Sequence, residues 1–159
     1  MSGGPVVICT ARMGDYDALV ALFDELDEFH RLARPWVFRR FDGPARTRGQ
    51  IEQWLIGAGS TVLVAELDGM VAGLAVLLTR PPSPFAGAVP LKAIELDNLV
   101  VHPDQRGQRI GRRLLAAVVE WARQRRAAQV EAVVGAGDAR RFYESFGFAA
   151  ADDRLVLTA

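Results

Sequence analysis

The chain is poor in the residues that form disulfides and metal sites. Its 159 residues include one cysteine, Cys9, and two histidines. A single cysteine excludes an internal disulfide, and so few soft ligands argue against a structural zinc site. A domain of this size buries about two thirds of its unfolded surface and needs no such cross-links. We therefore expect one domain over residues 1–159 with no bound metal.

Long hydrophobic runs and an excess of one charge are also missing. The chain carries 19 basic and 19 acidic residues, for a formal net charge of zero. Balanced charge argues against general nucleic-acid binding through a basic surface. No apolar run approaches the roughly 20 residues of a membrane span, and the N-terminal segment lacks the pattern of a signal peptide. These absences favour a cytoplasmic protein that binds neither nucleic acid nor membrane.

Apolar periodicity predicts a sheet with helices packed against it. Apolar, β-branched runs predict strands, whereas apolar residues at helical spacing predict helices. The predicted strands cover 5–10, 61–67, 70–79, 92–101, 129–134 and 153–157. The predicted helices begin near 14, 50, 108 and 138. Asp68-Gly69 between two apolar runs indicates a hairpin turn, and the element order indicates a single α/β or α+β domain.

The strand at 92–101 carries acidic residues that bear on function. Strict alternation divides its side chains between two faces. One face would hold Ile94, Leu96, Asn98 and Val100, and the other Glu95, Asp97, Leu99 and Val101. We therefore expect Glu95 and Asp97 to share a face, where either could accept a proton through a water. The alternative is that both are solvated or ion-paired surface carboxylates.

Two features of the first third of the chain allow a structural or a functional interpretation. The first helix places Leu19, Leu22, Phe23, Leu26 and Phe29 on one face and Asp24, Glu25 and Glu28 on the other. The acidic side is a solvated surface or a rim that attracts a cationic amine. Between 31 and 48 the periodicity is lost, and Trp36, Phe38 and Phe41 there either line a substrate pocket or cap the core.

A cluster of arginines lies where an extended apolar run changes into a helix. Its members are Arg106, Arg109, Arg112 and Arg113. We expect them in the first helical turn, where partial positive charge and unpaired N–H groups disfavour arginine. A bound phosphate would reverse that effect, and Gly107 and Gly111 would let the backbone approach it closely. The alternative is a solvated basic helix start, in which salt screens the repulsion.

Two common phosphate-binding loops do not fit this segment. A Walker loop needs four residues between its glycines and then Lys, whereas three residues separate Gly107 from Gly111 and arginines follow. The dinucleotide fingerprint G-x-G-x-x-G also fails, because the stretches at 57–62 and 135–140 lack its third glycine. The expected phosphate site is therefore of another kind.

Two sequence motifs lie in the second half of the chain. The first is a (Q/R)-x-x-G-x-(G/A) turn after a strand that ends in V-x-P, here residues 101–103 followed by 106–111. The second is A-x-x-F-Y-x-x-x-G-F, which matches residues 139–148. Both motifs resemble those of the GNAT family of N-acetyltransferases. Arg109 stands where the family has its middle glycine, and Ala136 where the family commonly has asparagine. The resemblance covers nearly the whole chain, although its first 60 residues match only in element order.

The resemblance implies a mixed, mostly antiparallel central sheet flanked by helices. It also implies acetyl-CoA as co-substrate and direct acetyl transfer, in a ternary complex, to a primary amine of a small molecule or a protein. The family's cofactor site maps onto Leu99, Val100, Val101, Arg106, Gly107, Gln108, Arg109, Ile110, Gly111 and Arg112. Tyr143 would donate a proton to the departing thiolate, and Glu95 is the favoured base. Exposed sheet edges in this family often pair across a two-fold axis, which makes a homodimer a further expectation.

Two other functions stay open on the sequence alone. A noncatalytic acyl-CoA-binding regulatory domain would keep the cofactor turn without turnover. Tyr143 and the strand carboxylates favour an enzyme instead. A nucleic-acid contact through the arginine cluster is the third interpretation, and the zero net charge weighs against it.

Overall fold

The computed structural model describes residues 4–134, 138–151 and Leu157. Its strands are β1 (Val6–Thr10), β2 (Ser60–Leu67), β3 (Met70–Arg80), β4 (Ala93–Val101) and β5 (Gln129–Ala132). Its helices are α1 (Tyr16–Ala33), α2 (Arg48–Ile56), α3 (Ile110–Gln124) and α4 (Asp138–Phe146). These elements match the predicted ones with small shifts at their ends. The predicted strand at 153–157 lies outside the described residues, apart from Leu157.

The strands form one sheet in the order β1-β2-β3-β4-β5, so neighbours in the chain are neighbours in space. The pairs from β1 to β4 are antiparallel, and of the described strands only β5 runs parallel to its neighbour. Asp68 and Gly69 have φ angles of 52° and 78°, the left-handed pair that a two-residue hairpin turn needs. The predicted mixed, mostly antiparallel sheet flanked by helices is confirmed.

Helices cover both faces of this sheet. On one face α3 buries Ile110, Leu114, Leu115, Val118 and Ala122. On the other face α1 and α2 bury Leu19, Leu22, Phe23 and Ile51. Helical spacing explains both contacts, because it gathers apolar residues on one side of each helix. Phe29 shares the spacing of the apolar face of α1 but is 56% exposed, because the buried residues of α1 all lie in its N-terminal half.

β4 contains one residue more than β3 can pair. Leu96 and Asn98 lie opposite consecutive residues of β3, so Asp97 has no partner there. Such a bulge interrupts the alternation of side chains. Ile94, Leu96, Leu99 and Val101 therefore face α3, whereas Asn98 and Val100 face α1 and α2. The predicted grouping of Asn98 and Val100 with Leu96 is wrong, and so is that of Glu95 with Leu99 and Val101. Strict alternation does not allow for the extra residue.

β4 and β5 separate halfway along β4. Their parallel pairing ends where Leu96 lies opposite Ala132. β4 itself continues to Val101 and keeps its pairing with β3. Within the described residues, the edge of β4 from Asp97 to Val101 is therefore open on the side of β5.

Gly73 in β3 sets how closely α3 approaches the sheet. A Cβ atom at this position would lie 3.0 Å from the Val100 carbonyl oxygen and 3.1 Å from Leu114 Cδ1. Sheet pairing holds the carbonyl and core packing holds the leucine, so neither atom has room to move away. Glycine at this position therefore fixes the distance between the start of α3 and β4.

We predict that Gly73→Ala lowers the free energy of unfolding by about 1–3 kcal/mol, because the added methyl group forces β4 and α3 apart. The matched control is Gly49→Ala in α2, where a Cβ atom meets nothing within 4 Å and helix propensity favours alanine. Urea unfolding followed by circular dichroism measures both variants. An unchanged midpoint for Gly73→Ala would contradict the close approach.

Candidate active site

The open edge of β4 presents backbone donors toward the gap beside β5. The N–H group of His102 donates to a carbonyl of β3 at 2.7 Å. Because successive N–H groups of a strand point to opposite sides, those of Leu99 and Val101 point away from β3. The Val101 carbonyl points the same way, since it accepts a hydrogen bond from Arg106 Nε at 3.4 Å. Val100 directs its backbone groups at β3, so Leu99 and Val101 are the strand residues with donors available to a ligand.

A tight turn joins β4 to α3. Gly107 and Arg109 have φ angles of 82° and 61°, and Arg109 is the N-cap of a helix that begins at Ile110. The helix starts later than the sequence predicted, so the expected placement of Arg106 and Arg109 in its first turn is wrong. A left-handed conformation costs a residue with a side chain about 1–2 kcal/mol. Arg109 therefore occupies the turn against a conformational penalty.

The start of α3 has unpaired N–H groups at this turn. Its first intrahelical hydrogen bond runs from the Arg113 N–H to the Arg109 carbonyl at 3.1 Å. The preceding N–H groups, of Ile110, Gly111 and Arg112, have no acceptor in the part of the chain that the structure describes. Together with the helix dipole, these groups form a site that favours an anion.

The arginine side chains of this region take different directions. Arg106 reaches back to the end of β4 through its hydrogen bond to Val101. Arg112 Nη1 lies 3.3 Å from Ser145 Oγ, and its guanidinium lies 5.5 Å from the centre of the Phe146 ring. Arg112 thus links the turn to α4, and its predicted contact to a cofactor stays a prediction.

The β4–α3 turn also borders a concavity on the side of the β2–β3 hairpin. The concavity has a volume of about 440 Å³ and is lined in part by His102, Gln105 and Gln108. Gln108 Nε2 donates to Gln105 Oε1 at 2.8 Å, so the Gln108 side chain turns back on its own loop. The contact that Gln108 can offer an anion in this arrangement is therefore its backbone N–H group.

α4 is docked against the start of α3. A Cβ atom on Gly111 would lie 3.3 Å from the Phe142 ring, so glycine allows this ring to pack on the helix.

The Tyr143 ring on α4 makes edge contacts with Phe142 and Phe148 at centroid distances of 5.3 and 5.2 Å. Burial raises the pKa of the Tyr143 phenol to about 12. The phenol therefore stays protonated at neutral pH.

Two glutamates lie side by side on β4 and β5. Glu95 pairs with Glu131 in the parallel register, so their side chains share a face of the sheet. Glu131 forms an ion pair with Arg80, and a hydrogen bond from Gln129 together with this arginine lowers the pKa of its carboxyl. Glu95 is half-buried and has no hydrogen bond or ion pair within the described residues. Its carboxylate is therefore the one of the two that is available to a ligand.

Asn98 is a further polar residue of this region, and the sequence prediction gave it no role. Its Oδ1 atom is buried and receives no hydrogen bond. It is the sole asparagine of the chain and stands in a mainly apolar strand, where asparagine is disfavoured. That contrast is the signal by which the sequence could have revealed it. Arg80 and Glu131 offered no such signal, because only the sheet register brings them together.

The segment between α1 and α2 leaves its aromatic side chains exposed. Trp36, Phe38 and Phe41 are 77%, 38% and 58% exposed. Phe38 stacks on His30 with ring centroids 5.4 Å apart. The alternative that these aromatics cap the core is therefore wrong.

The acidic side of α1 borders a second concavity, of about 390 Å³, which Phe41 and arginines also line. Glu28 forms ion pairs with Arg31 and Arg40 there. Positive charge from these arginines offsets the negative charge of the helix face. The surface is therefore less suited to attract a cationic amine than the sequence alone indicated.

Two further kinds of feature are absent from the residues that the structure describes. No three His, Cys, Asp or Glu side chains lie close enough together to hold a metal ion. None of the described helices combines the length and the apolar character that a membrane crossing requires.

Similarity to known proteins establishes the family of this chain. Residues 20–148 match the family model described as the Acetyltransferase (GNAT) family. An uncharacterized N-acetyltransferase of Archaeoglobus fulgidus is 33% identical over 129 residues, which cover 77% of this chain and 85% of that protein. The chain belongs to the GNAT family. It is an acetyltransferase, and acetyl-CoA is the acetyl donor of its family.

Solved structures share the GNAT fold with this chain. The tetramutant of the BH1408 protein from Bacillus halodurans has a TM-score of 0.89 at 23% identity, over 96% of this chain and 99% of that one. The aminoglycoside N-acetyltransferase AAC(6')-Iy in complex with CoA has a TM-score of 0.70 at 15% identity, over 96% of this chain and 98% of that one. At these identities the likeness establishes the fold alone.

We predict that the Tyr143 phenol titrates near pH 12 in the folded protein, because burial disfavours the phenolate. The chain has two tyrosines, so NMR of protein labelled at tyrosine Cζ resolves the signal of Tyr143 by its loss in Tyr143→Phe. The folded pKa exceeds the usual value of 10, so the free energy of unfolding should fall as the pH rises from 10 toward about 12. A Tyr143 signal that titrates at or below pH 10 would contradict its burial.

Proposed function

We propose that this protein transfers the acetyl group of acetyl-CoA directly to a primary amine of a small molecule or a protein, within a ternary complex. The observation that carries the proposal is the succession of two sets of unpaired N–H groups. One set belongs to Leu99 and Val101 on the open edge of β4, and the other to the start of α3. A single extended ligand with an amide-bearing arm and phosphates at one end can satisfy both sets.

Residues of the β4–α3 segment would hold acetyl-CoA. The N–H groups of Leu99 and Val101 would pair with its pantetheine arm and thioester carbonyl. The N–H groups of Gly107 to Gly111 would pair with its pyrophosphate, next to the positive charges of Arg106 and Arg109. The unpaired donors at the helix start fit such a group, because an anion there reverses the repulsion between the arginines and the helix dipole.

The chain must supply a neutral amine, stabilisation of the oxyanion and a proton for sulfur. Acetyl-CoA itself brings an activated carbonyl and a thiolate leaving group. Glu95 would accept a proton from the substrate ammonium through a water, and the β4 N–H groups would hold the carbonyl oxygen as it gains negative charge. Tyr143 would donate its proton to sulfur, and its raised pKa of about 12 keeps it protonated beforehand.

The proton balance of this scheme closes. An ammonium loses two protons on its way to an amide N–H, and one of these passes to Glu95. Tyr143 gives its proton to the departing sulfur and is reprotonated by the second. One proton per turnover then leaves Glu95 for solvent, so neither side chain is consumed.

We predict that saturating acetyl-CoA raises the melting temperature of the protein, because a ligand that binds only the folded state stabilises it by mass action. Gly111→Glu should abolish the rise, since it places a carboxylate among the N–H groups at the helix start. The matched control is Gly49→Glu, which alters the second residue of α2 as Gly111→Glu alters the second residue of α3. It should leave the rise unchanged.

Arg109→Glu reverses a charge at an exposed position of the turn and covers the case in which Gly111→Glu disturbs packing against Phe142. It should reduce the rise in melting temperature.

The same proteins are assayed for release of CoA thiol with a panel of primary amines. Tyr143→Phe should lower kcat by about 100-fold or more. No rise in the wild type would remove the basis of the cofactor assignment, and a rise without thiol release would show binding without turnover.

A further inference from the structure

The side chain of Asn98 contains a buried acceptor that has no donor. Its Oδ1 atom is shielded from solvent and receives no hydrogen bond, the one such side-chain atom among the described residues. Buried polar groups in folded proteins are nearly always paired, so an unpaired one calls for an explanation. A group of a bound substrate would provide one.

Asn98 lies where β4 and β5 separate. It follows the bulge at Asp97, just beyond the last residue of β4 that pairs with β5. Its side chain is on the face of α1 and α2, opposite Val76. The next residue, Leu99, directs its N–H group into the gap. The unpaired oxygen and the proposed position of the thioester are therefore on adjacent residues.

Glu95 lies on the same face of β4 as Asn98. In β3, Leu78 lies opposite Glu95 and Val76 lies opposite Asn98. Val76 is buried in the core beside α1 and α2, and Leu78 packs against that core. The strand between Glu95 and Asn98 spans at most about 10 Å, a distance that a glutamate side chain and one water can bridge. The unpaired acceptor and the proposed base therefore lie on the same face of β4, within about 10 Å of each other.

We propose that Asn98 Oδ1 accepts a hydrogen bond from the amino group of the acceptor and holds it for attack on the thioester. The inference rests on the proposed acetyl transfer and adds a contact that recognises the N–H groups of a primary amine. An ammonium has three N–H donors and a neutral primary amine still has N–H donors, so the bond to Asn98 survives deprotonation. The nitrogen lone pair then forms the N–C bond, while the C–S bond breaks and sulfur leaves with its electron pair.

An amide suits this position better than a carboxylate. A carboxylate beside the acceptor would stabilise its ammonium form and so oppose the loss of a proton that precedes attack. A neutral amide oxygen accepts the same hydrogen bond without adding charge. Asn98 thus separates the task of holding the nitrogen from the task of deprotonating it, which falls to Glu95.

Selective labelling tests the contact directly, because Asn98 is the sole asparagine of the chain. In the complex with CoA, n-propylamine at mildly alkaline pH should shift the ¹⁵N signal of the labelled Asn98 side-chain amide. Tetramethylammonium, a cation without N–H donors, should leave that signal in place. Equal shifts from both cations, or no shift from the amine, would overturn the proposal.

Asn98→Leu removes the oxygen and keeps the size of the side chain. It should raise the KM for the amine about tenfold or more and leave the KM for acetyl-CoA within about twofold. The melting temperature should be unchanged or higher, since the variant buries no unpaired polar atom. A purely structural role predicts the reverse, and a lower melting temperature with an unchanged KM for the amine would overturn the proposal.

Asn98→Asp keeps the acceptor and adds a charge, so the rising limb of kcat/KM against pH should move to higher pH. An unmoved limb would show that the amine does not lie beside residue 98. Failure of this contact is distinguishable from failure of the proposed function. If the wild type releases thiol and the variants have unaltered kinetics, only the contact is overturned. If no amine gives thiol release, acetyl transfer is overturned. In that second case the NMR titration still decides whether Asn98 binds the amine.

Discussion

β4 cannot pair with both of its neighbours along its whole length, and the site depends on this constraint. The bulge at Asp97 keeps the strand in contact with β3, while β5 pairs only as far as Leu96. The N–H groups of Leu99 and Val101 are left without a partner in the described sheet. A ligand that carries hydrogen-bond acceptors can therefore pair with both groups. The same bulge turns Asn98 away from the α3 face and toward the side where Glu95 lies.

The start of α3 connects this strand edge to the proposed proton donor. Gly73 lets α3 approach the sheet, and Gly111 lets the Phe142 ring of α4 pack on the first turn of α3. Arg112 adds a hydrogen bond to Ser145 on α4. The position of Tyr143 and the geometry of the N–H groups therefore depend on the same few contacts. A change in the turn should for this reason affect both binding and proton transfer.

Local rules in the sequence were sufficient for much of the fold. The Asp68-Gly69 turn and the helical spacing in α3 each follow from the conformational needs of a few neighbouring residues. The bulge at Asp97 could not be predicted in this way, because alternation assumes that paired strands contribute equal numbers of residues. Helical spacing placed Phe29 on the correct face of α1 but could not reveal that no described element covers it. The direction of Arg112 depends on α4, which lies far from it in sequence.

Amide hydrogen exchange at three consecutive residues of β4 tests the central claim most directly. In the free protein, the N–H groups of Leu99 and Val101 should exchange faster than that of Val100, which points to β3. Addition of CoA should slow exchange at Leu99 and Val101 and leave Val100 unchanged. Equal protection of all three residues without ligand, or no change on addition of CoA, would contradict the account of β4 as an open edge that binds the cofactor.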